Sequence, residues 1–127
     1  MKNPQKFTIS ARIQSFKYAL NGLKILIKEE HNFRIHLLAA VLAIILGWYF
    51  QLSISEWLSL ILVSGLVLIT EIVNTVMENF SDFISPGQNK KIGKIKDMAA
   101  AAVLVAAIIA LATGCLIFLP KLITLFL

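Results

Sequence analysis

The chain has 127 residues, of which 58% are hydrophobic and only 15% are charged, and its formal net charge is +5. This composition excludes an ordinary soluble domain, in which charged residues are much more common. A single cysteine, Cys115, excludes a disulfide framework. The length predicts one domain over residues 1–127, and the apolar composition predicts an all-α integral membrane protein.

Residues 8–29 have the periodicity of an amphipathic helix. Apolar residues recur at steps of three and four positions and fall within about 80° of one another on a helical wheel. They are Ile9, Ile13, Phe16, Leu20, Leu23 and Ile27. Lys17, Lys24 and Lys28 lie on one flank. The pattern predicts a helix in the membrane surface with its lysines at lipid headgroups, although a core helix of a soluble bundle has a similar pattern.

Three apolar stretches follow, and we expect each to cross the bilayer. The predicted spans are near 33–52, 56–82 and 97–119. Trp48 and Tyr49 near the end of the first span, and Trp57 at the start of the second, are typical of an aromatic belt at one membrane interface.

The third span carries a ridge of small residues that favours close helix packing. The ridge consists of Ala102, Ala106, Ala110 and Gly114. Before it, Pro86 and Gly87 should break the second helix, and residues 85–96 are expected to form a lysine-rich loop. Pro120 and Lys121 are expected to end the third span.

Basic residues are distributed unevenly about the spans. They cluster before the first span and between the second and third, and none lies between the first and second. Because cytoplasmic loops carry an excess of lysine and arginine, the amino end and residues 83–97 are predicted to face the cytoplasm.

Polar residues form a stripe near the carboxyl end of the second span. Glu71, Asn74, Glu78 and Asp82 fall within about 80° on one face of the helix. Acids at membrane depth are costly unless they face water, a metal or a partner. Glu30, Glu78 and Asp82 offer carboxylate oxygens suited to Mg²⁺, and phosphoryl transfer needs mainly positioning and charge stabilisation. Glu71 is the deepest acid and is placed to take the proton of a lipid hydroxyl.

The residues alone leave other functions open. The polar stripe could join helices in a non-enzymatic membrane subunit, or line the path of an ion-conducting oligomer. The sequence has no GxxxxGK[ST] or GxGxxG motif, which excludes a P-loop or protein-kinase nucleotide site. A lipid phosphatase is less favoured, since no histidine or cysteine is placed as a phosphoryl acceptor.

Two motifs resemble a known family. The segment EIVNTVMENFSD at 71–82, followed by KDMAAAAV at 96–103, resembles the signature of the small prokaryotic diacylglycerol kinases, which include undecaprenol kinases. The similarity extends from about Phe16 to Gly114 and includes NGLKILIKEEHNFR at 21–34.

The resemblance implies a membrane enzyme with three spans and a surface helix, working as a homotrimer with sites shared between subunits. It implies transfer of phosphate from ATP, with Mg²⁺, to a lipid alcohol, either diacylglycerol or undecaprenol, and no nucleic-acid partner. It places the protein in a bacterial inner membrane, with its amino terminus and active site on the cytoplasmic side.

The resemblance also implies roles for individual residues. Glu71 matches the catalytic base, and Glu30 and Glu78 match the metal-binding glutamates. The positions that match the nucleotide site or its surroundings are Arg12, Tyr18, Glu30, Asn74, Glu78, Gly87, Gln88, Asn89, Lys96 and Asp97. Asp82 is expected to be structural. His36 is assigned no chemistry and is expected to cap a helix or pack at the interface.

Some positions depart from the enterobacterial diacylglycerol kinase pattern. Ala99 and Ala100 stand where that branch has Gly-Ser, and Val76 replaces a small residue. The segment HNFRIH at 31–36 looks more like the branch that contains undecaprenol kinases. The type of reaction is unaffected, and the choice of lipid acceptor stays open.

Overall fold

The computed structural model describes residues 6–127. This part of the chain folds into four helices and contains no β-strand. The helices are α1 (Ile9–Glu29), α2 (His31–Tyr49), α3 (Ile54–Ile84) and α4 (Lys90–Phe126). The predicted all-helical fold is confirmed.

Helices α2, α3 and α4 are each long and apolar enough to cross a membrane. The prediction of three helices able to span a bilayer is therefore confirmed. Many of their large apolar side chains are exposed in the single chain, among them Leu62, Leu111 and Leu116. Such a surface is suited to lipid or to neighbouring helices and unsuited to water.

Helix α1 begins and ends close to its predicted limits. The Thr8 hydroxyl oxygen accepts a hydrogen bond from the Ala11 amide at 3.1 Å and so caps the first turn. At the other end, Glu30 is in an extended conformation (φ −105°, ψ 110°) and alone separates α1 from α2. Leu26 is the one buried residue of α1. The location of α1 at the membrane surface stays a prediction.

A tight turn joins α2 to α3. Gln51 has a left-handed backbone conformation (φ 52°), and the Leu52 amide donates to the Gly47 carbonyl at 3.2 Å. Ser53 then caps α3 in a capping box with Glu56, in which each side chain accepts from the backbone amide of the other residue. These bonds satisfy backbone groups that a helix end otherwise leaves without partners.

Close packing beside this turn depends on a glycine. A Cβ atom at Gly47 would lie 2.7 Å from Cη2 of Trp57 and 3.0 Å from Cδ1 of Leu52. The Trp48 and Trp57 rings meet edge to face with centroids 6.2 Å apart. The aromatic residues expected at one interface thus lie together at this end of the helices.

The connection between α3 and α4 is shorter than predicted. Helix α3 ends at Ile84 and α4 begins at Lys90, so the lysines expected in a loop over residues 85–96 lie on the first turns of α4. These are Lys90, Lys91, Lys94 and Lys96. The cause is Asn89, whose Oδ1 accepts from the backbone amides of Lys91 and Ile92 at 2.9 and 3.3 Å. This cap starts a helix soon after the Pro-Gly break.

Helix α4 also continues beyond its predicted end. It passes through Pro120 and ends at Phe126, so the helix itself does not stop at Pro120, and the end of the membrane span near residue 119 stays a prediction. Proline lacks an amide hydrogen and removes one helical bond, but helices of membrane proteins tolerate this loss. Lys121 Nζ lies 3.0 Å from Oε1 of Glu56, which ties this part of α4 to the first turn of α3.

The helices contact one another to different extents. Contact is most extensive between α3 and α4, smaller between α2 and α3, and smaller again between α1 and α2. Ala106, from the predicted ridge of small residues, is only 2% exposed. The closest association is thus between α3, which carries the polar stripe, and α4.

Candidate active site

The polar stripe of α3 changes from buried to exposed along the helix. Glu71 is 3% exposed and Asn74 is 6% exposed. Glu78 is half-buried, and Asp82 is exposed. The stripe therefore has one end enclosed by protein and one end open to the surroundings near the α3–α4 connection.

The buried end of the stripe meets α2 at a histidine. His36 Nε2 lies 3.9 Å from Oε2 of Glu71. The Glu71 side chain is 4% exposed and that of His36 is 25% exposed. The separation is too long for a hydrogen bond, so the contact is an electrostatic one.

One turn along α3, an amide has an unused acceptor. Asn74 Nδ2 donates to Oε1 of Glu78 at 3.4 Å. Asn74 Oδ1 is buried and accepts no hydrogen bond from any residue that the structure describes. Buried polar atoms are nearly always paired, so this oxygen is available to a ligand or an ion.

The open end of the stripe is linked to α4 by an ion pair. Lys96 Nζ lies 2.8 Å from Oδ1 of Asp82, with 35% and 63% of the two side chains exposed. Because exposed pairs contribute at most about 1 kcal/mol to stability, this contact mainly fixes where the lysine points.

A polar hollow of about 680 Å³ lies beside this ion pair. The α3–α4 connection and the adjoining turns of both helices line it. Four positions predicted near a nucleotide are in its wall, namely Gly87, Gln88, Asn89 and Lys96. The fold thus brings these residues together.

Three other predicted nucleotide-site residues make no hydrogen bond or ion pair with the polar stripe among the described residues. Arg12 and Tyr18 are exposed on α1, and the Arg12 guanidinium lies over the Phe7 ring at 5.5 Å from its centroid. Asp97 is exposed on α4.

The carboxylates are suited to a magnesium ion that a substrate helps to bind. Residues 6–127 contain no group of three or more His, Cys, Asp or Glu side chains arranged to hold a metal by themselves. Mg²⁺ usually needs only one or two carboxylates, with phosphates and water completing its shell. Glu78, which accepts a hydrogen bond from Asn74 Nδ2, and the free Asn74 Oδ1 atom supply oxygens of this kind on one face of α3, and the half-buried Glu30 lies at the α1–α2 link.

An apolar cavity of about 540 Å³ lies between α2, α3 and α4. Its walls include Leu60 and Val67 of α3 and Ala110 and Gly114 of α4. His36 is part of the wall as well, so the cavity reaches the residue that faces Glu71. A cavity of this size and lining is suited to a hydrocarbon chain.

The contact between His36 and Glu71 was not predicted from the sequence. A histidine inside an otherwise apolar span is a signal of function. Its partner depends on how α2 packs against α3, which the periodicity of either helix does not determine.

Comparison with known proteins agrees with the motifs. The sequence model of a family described as prokaryotic diacylglycerol kinase matches residues 17–118. An undecaprenol kinase of Bacillus subtilis (strain 168) is 38% identical over 109 residues, covering 86% of this chain and 89% of the relative. A diacylglycerol kinase of Synechocystis sp. is 38% identical over 112 residues, covering 87% and 64%. A diacylglycerol kinase of Escherichia coli (strain K12) is 32% identical over 105 residues, covering 83% and 86%.

Proposed function

The chain belongs to the prokaryotic diacylglycerol kinase family and is a membrane lipid kinase, and from this premise we propose that it transfers the γ-phosphoryl group of ATP, with Mg²⁺, to the hydroxyl of undecaprenol or diacylglycerol. The observation that carries the proposal is the position of Glu71. It is a buried carboxylate facing His36, which lies in the wall of the apolar cavity, and it begins a polar stripe that opens toward the surroundings.

In the proposed reaction, Glu71 is the general base. The lipid hydroxyl oxygen attacks the γ-phosphorus while its proton passes to the Glu71 carboxylate. The bond from the γ-phosphorus to the β–γ bridging oxygen breaks, and ADP leaves. Since phosphoryl transfer depends mainly on positioning and charge stabilisation, a single well-placed carboxylate suffices for the proton transfer.

The polar hollow at the α3–α4 connection is the proposed entry of the nucleotide. Lys96 supplies positive charge there, and its ion pair with Asp82 directs it toward the stripe. The phosphates would extend from this open end toward Glu78 and Asn74. Glu30, Glu78 and the Asn74 Oδ1 atom would hold the magnesium ion, which when bound neutralises charge on the phosphate oxygens.

The apolar cavity is the proposed site for the hydrocarbon chain of the acceptor. With the chain between α2, α3 and α4, the hydroxyl would lie at the end marked by His36. The two substrates would therefore reach Glu71 from opposite directions, the lipid from the bilayer and ATP from water.

We further propose a homotrimer in a bacterial inner membrane, with its amino terminus and nucleotide site in the cytoplasm. The distribution of basic residues supports this orientation. The exposure of Arg12 and Tyr18 on α1 supports shared sites, because these residues could then reach the stripe of a neighbouring subunit. Single cysteines at Ser53 and Asn89, in a Cys115→Ser background, should be labelled from opposite sides of the membrane; labelling from the same side would contradict the topology.

The activity is tested by incubating the purified protein with ATP labelled at the γ-phosphate. Undecaprenol, diacylglycerol and a lipid without a hydroxyl are supplied in separate reactions. We expect label in at least one alcohol, no label in the control lipid, and loss of transfer when Mg²⁺ is chelated. A protein that labels no alcohol would be a non-enzymatic membrane subunit, and the proposal would be wrong. The alcohol that is labelled faster identifies the acceptor.

A further inference from the structure

We propose that His36 is a positioning residue for the Glu71 carboxylate. It offsets the negative charge of this group and holds Oε2 at the end of the apolar cavity. The kinetic consequences rest on the proposed function, whereas the contact between the two side chains can be tested without it.

The charges around Glu71 give the first argument. Glu78 lies two turns further along the same face of α3, and His36 is the one basic side chain with a nitrogen within 4 Å of the Glu71 carboxylate among the described residues. A buried carboxylate without a compensating partner is strongly destabilised. When protonated, the imidazole of His36 therefore offsets the negative charge of this buried carboxylate.

The surroundings of His36 give the second argument. On its own helix, His31 Nδ1 and Arg34 Nη2 lie 2.7 Å apart and are paired with each other. Across from it on α3 is Glu71. The part of α4 that lines the same cavity carries no charged residue. His36 thus has Glu71 as its charged partner, and the partner is not shared with another base.

The cavity gives the third argument. His36 lies in the wall of this cavity and is also 3.9 Å from Glu71. A carboxylate drawn toward the His36 ring is held where an acceptor hydroxyl would arrive from the bilayer. A small displacement of a catalytic group can lower the rate substantially, so fixing the carboxylate affects turnover.

The first experiment compares His36→Phe with His31→Phe. Phenylalanine keeps a ring of similar size and removes both nitrogens, so the packing of α2 is largely retained. We expect His36→Phe to lower kcat on the order of 10- to 100-fold, as is typical for loss of a residue that orients a reactive group. The KM for Mg-ATP should change less than about twofold, because His36 is not near the proposed nucleotide entry.

His31 provides the matched control, since it is the same residue type on the same helix but is exposed and faces away from Glu71. Its replacement by phenylalanine should leave kcat within about twofold of the unmodified protein. A His36→Phe protein with full turnover would show that the ring only packs, and would overturn the proposal. Equal elution of all variants in size-exclusion chromatography verifies folding.

The second experiment does not need kinase activity. Dicyclohexylcarbodiimide, an apolar reagent, adds to protonated carboxyl groups at membrane depth. At neutral pH we expect it to label Glu71 several-fold faster in His36→Phe than in the unmodified chain or in His31→Phe, with Glu71→Gln as the blank. Equal labelling rates would overturn the charge role of His36. If the unmodified chain phosphorylates no lipid, the proposed function fails, and the labelling result still decides the role of His36.

Discussion

The two ends of α3 use their acids in opposite ways. At the amino end, Glu56 accepts from the Ser53 amide at 2.8 Å and pairs with Lys121 at 3.0 Å. At the carboxyl end, Glu71 lies 3.9 Å from His36, and Asn74 Oδ1 has no partner among the described residues. Polar groups that are fully paired stabilise a fold, whereas buried groups left free are costly and are expected where a ligand completes them. The contrast supports the proposal that the reaction takes place beside the carboxyl-terminal half of α3 and that the acid at its amino end is structural.

The strongest test of this contrast is Glu71→Gln, which keeps the shape of the side chain and removes the base. We expect turnover with lipid to fall on the order of 10²–10⁴-fold, the range for loss of general base catalysis. Mg-ATP affinity should change much less. Both quantities are measured on one preparation, with Glu56→Gln as the control acid on the same helix. If turnover survives, Glu71 is only a packing residue. If Mg-ATP affinity falls along with turnover, Glu71 binds the metal or the nucleotide, and Asp97 becomes the next candidate for the base.

The next effect in size is expected for Glu78→Gln. The variant removes a proposed magnesium ligand, and we expect the Mg²⁺ concentration for half-maximal activity to rise by about tenfold or more, with weaker Mg-ATP binding and little residual transfer. A magnesium titration of activity and a nucleotide-binding titration measure the two effects. An unchanged magnesium dependence would remove Glu78 from the metal site.

The amino end of α3 is tested by Gly47→Ala. The new Cβ would lie 2.7 Å from Cη2 of the bulky Trp57 ring, so either this ring or the two helices must shift. We expect a loss of about 1–3 kcal/mol of stability, with activity per folded molecule retained. Thermal unfolding in detergent measures the change. Gly114→Ala is the control, because no atom lies within 4 Å of its added Cβ. Equal unfolding temperatures for the two variants would contradict the close packing.

The smallest effect is expected for Lys121→Met, which breaks the ion pair with Glu56. The two side chains are 26% and 29% exposed, so we expect a loss of about 1 kcal/mol or less and no change in kcat. Unfolding temperatures at low and high salt test this, since screening should weaken the pair in the unmodified chain only. A large loss of activity would show that the amino end of α3 takes part in the reaction.

Hydrophobicity and motifs predicted the elements well, because each depends on nearby residues. The apolar runs were enough to predict three helices able to span a membrane. The segments 71–82 and 96–103 were enough to predict the family. The stripe from Glu71 to Asp82 was readable from helical periodicity alone, and the structure adds its change from buried to exposed.

The expectations that failed depended on competition between local signals. Pro86 and Gly87 do interrupt the helix, and the lysine-rich residues up to 96 were expected to form a loop. The Asn89 cap instead starts α4 at Lys90. Pro120 and Lys121 are predicted to end the third span, but they do not end helix α4, because apolar helices continue through proline when neighbouring groups compensate. The partner of His36 depended on tertiary packing, which no pattern within α2 contains.

The single extended residue between α1 and α2 has a mechanical consequence. Glu30 is the whole link between the two helices, so rotation about its two backbone dihedrals determines the angle between them. Its side chain is also a proposed magnesium ligand. If Mg²⁺ binding fixes that side chain, it also restricts rotation about the Glu30 backbone. Binding of the metal would then determine the direction of α1 relative to α2. Slower hydrogen exchange of α1 amides in the presence of Mg-ATP, lost in Glu30→Gln, would be the signature of this coupling.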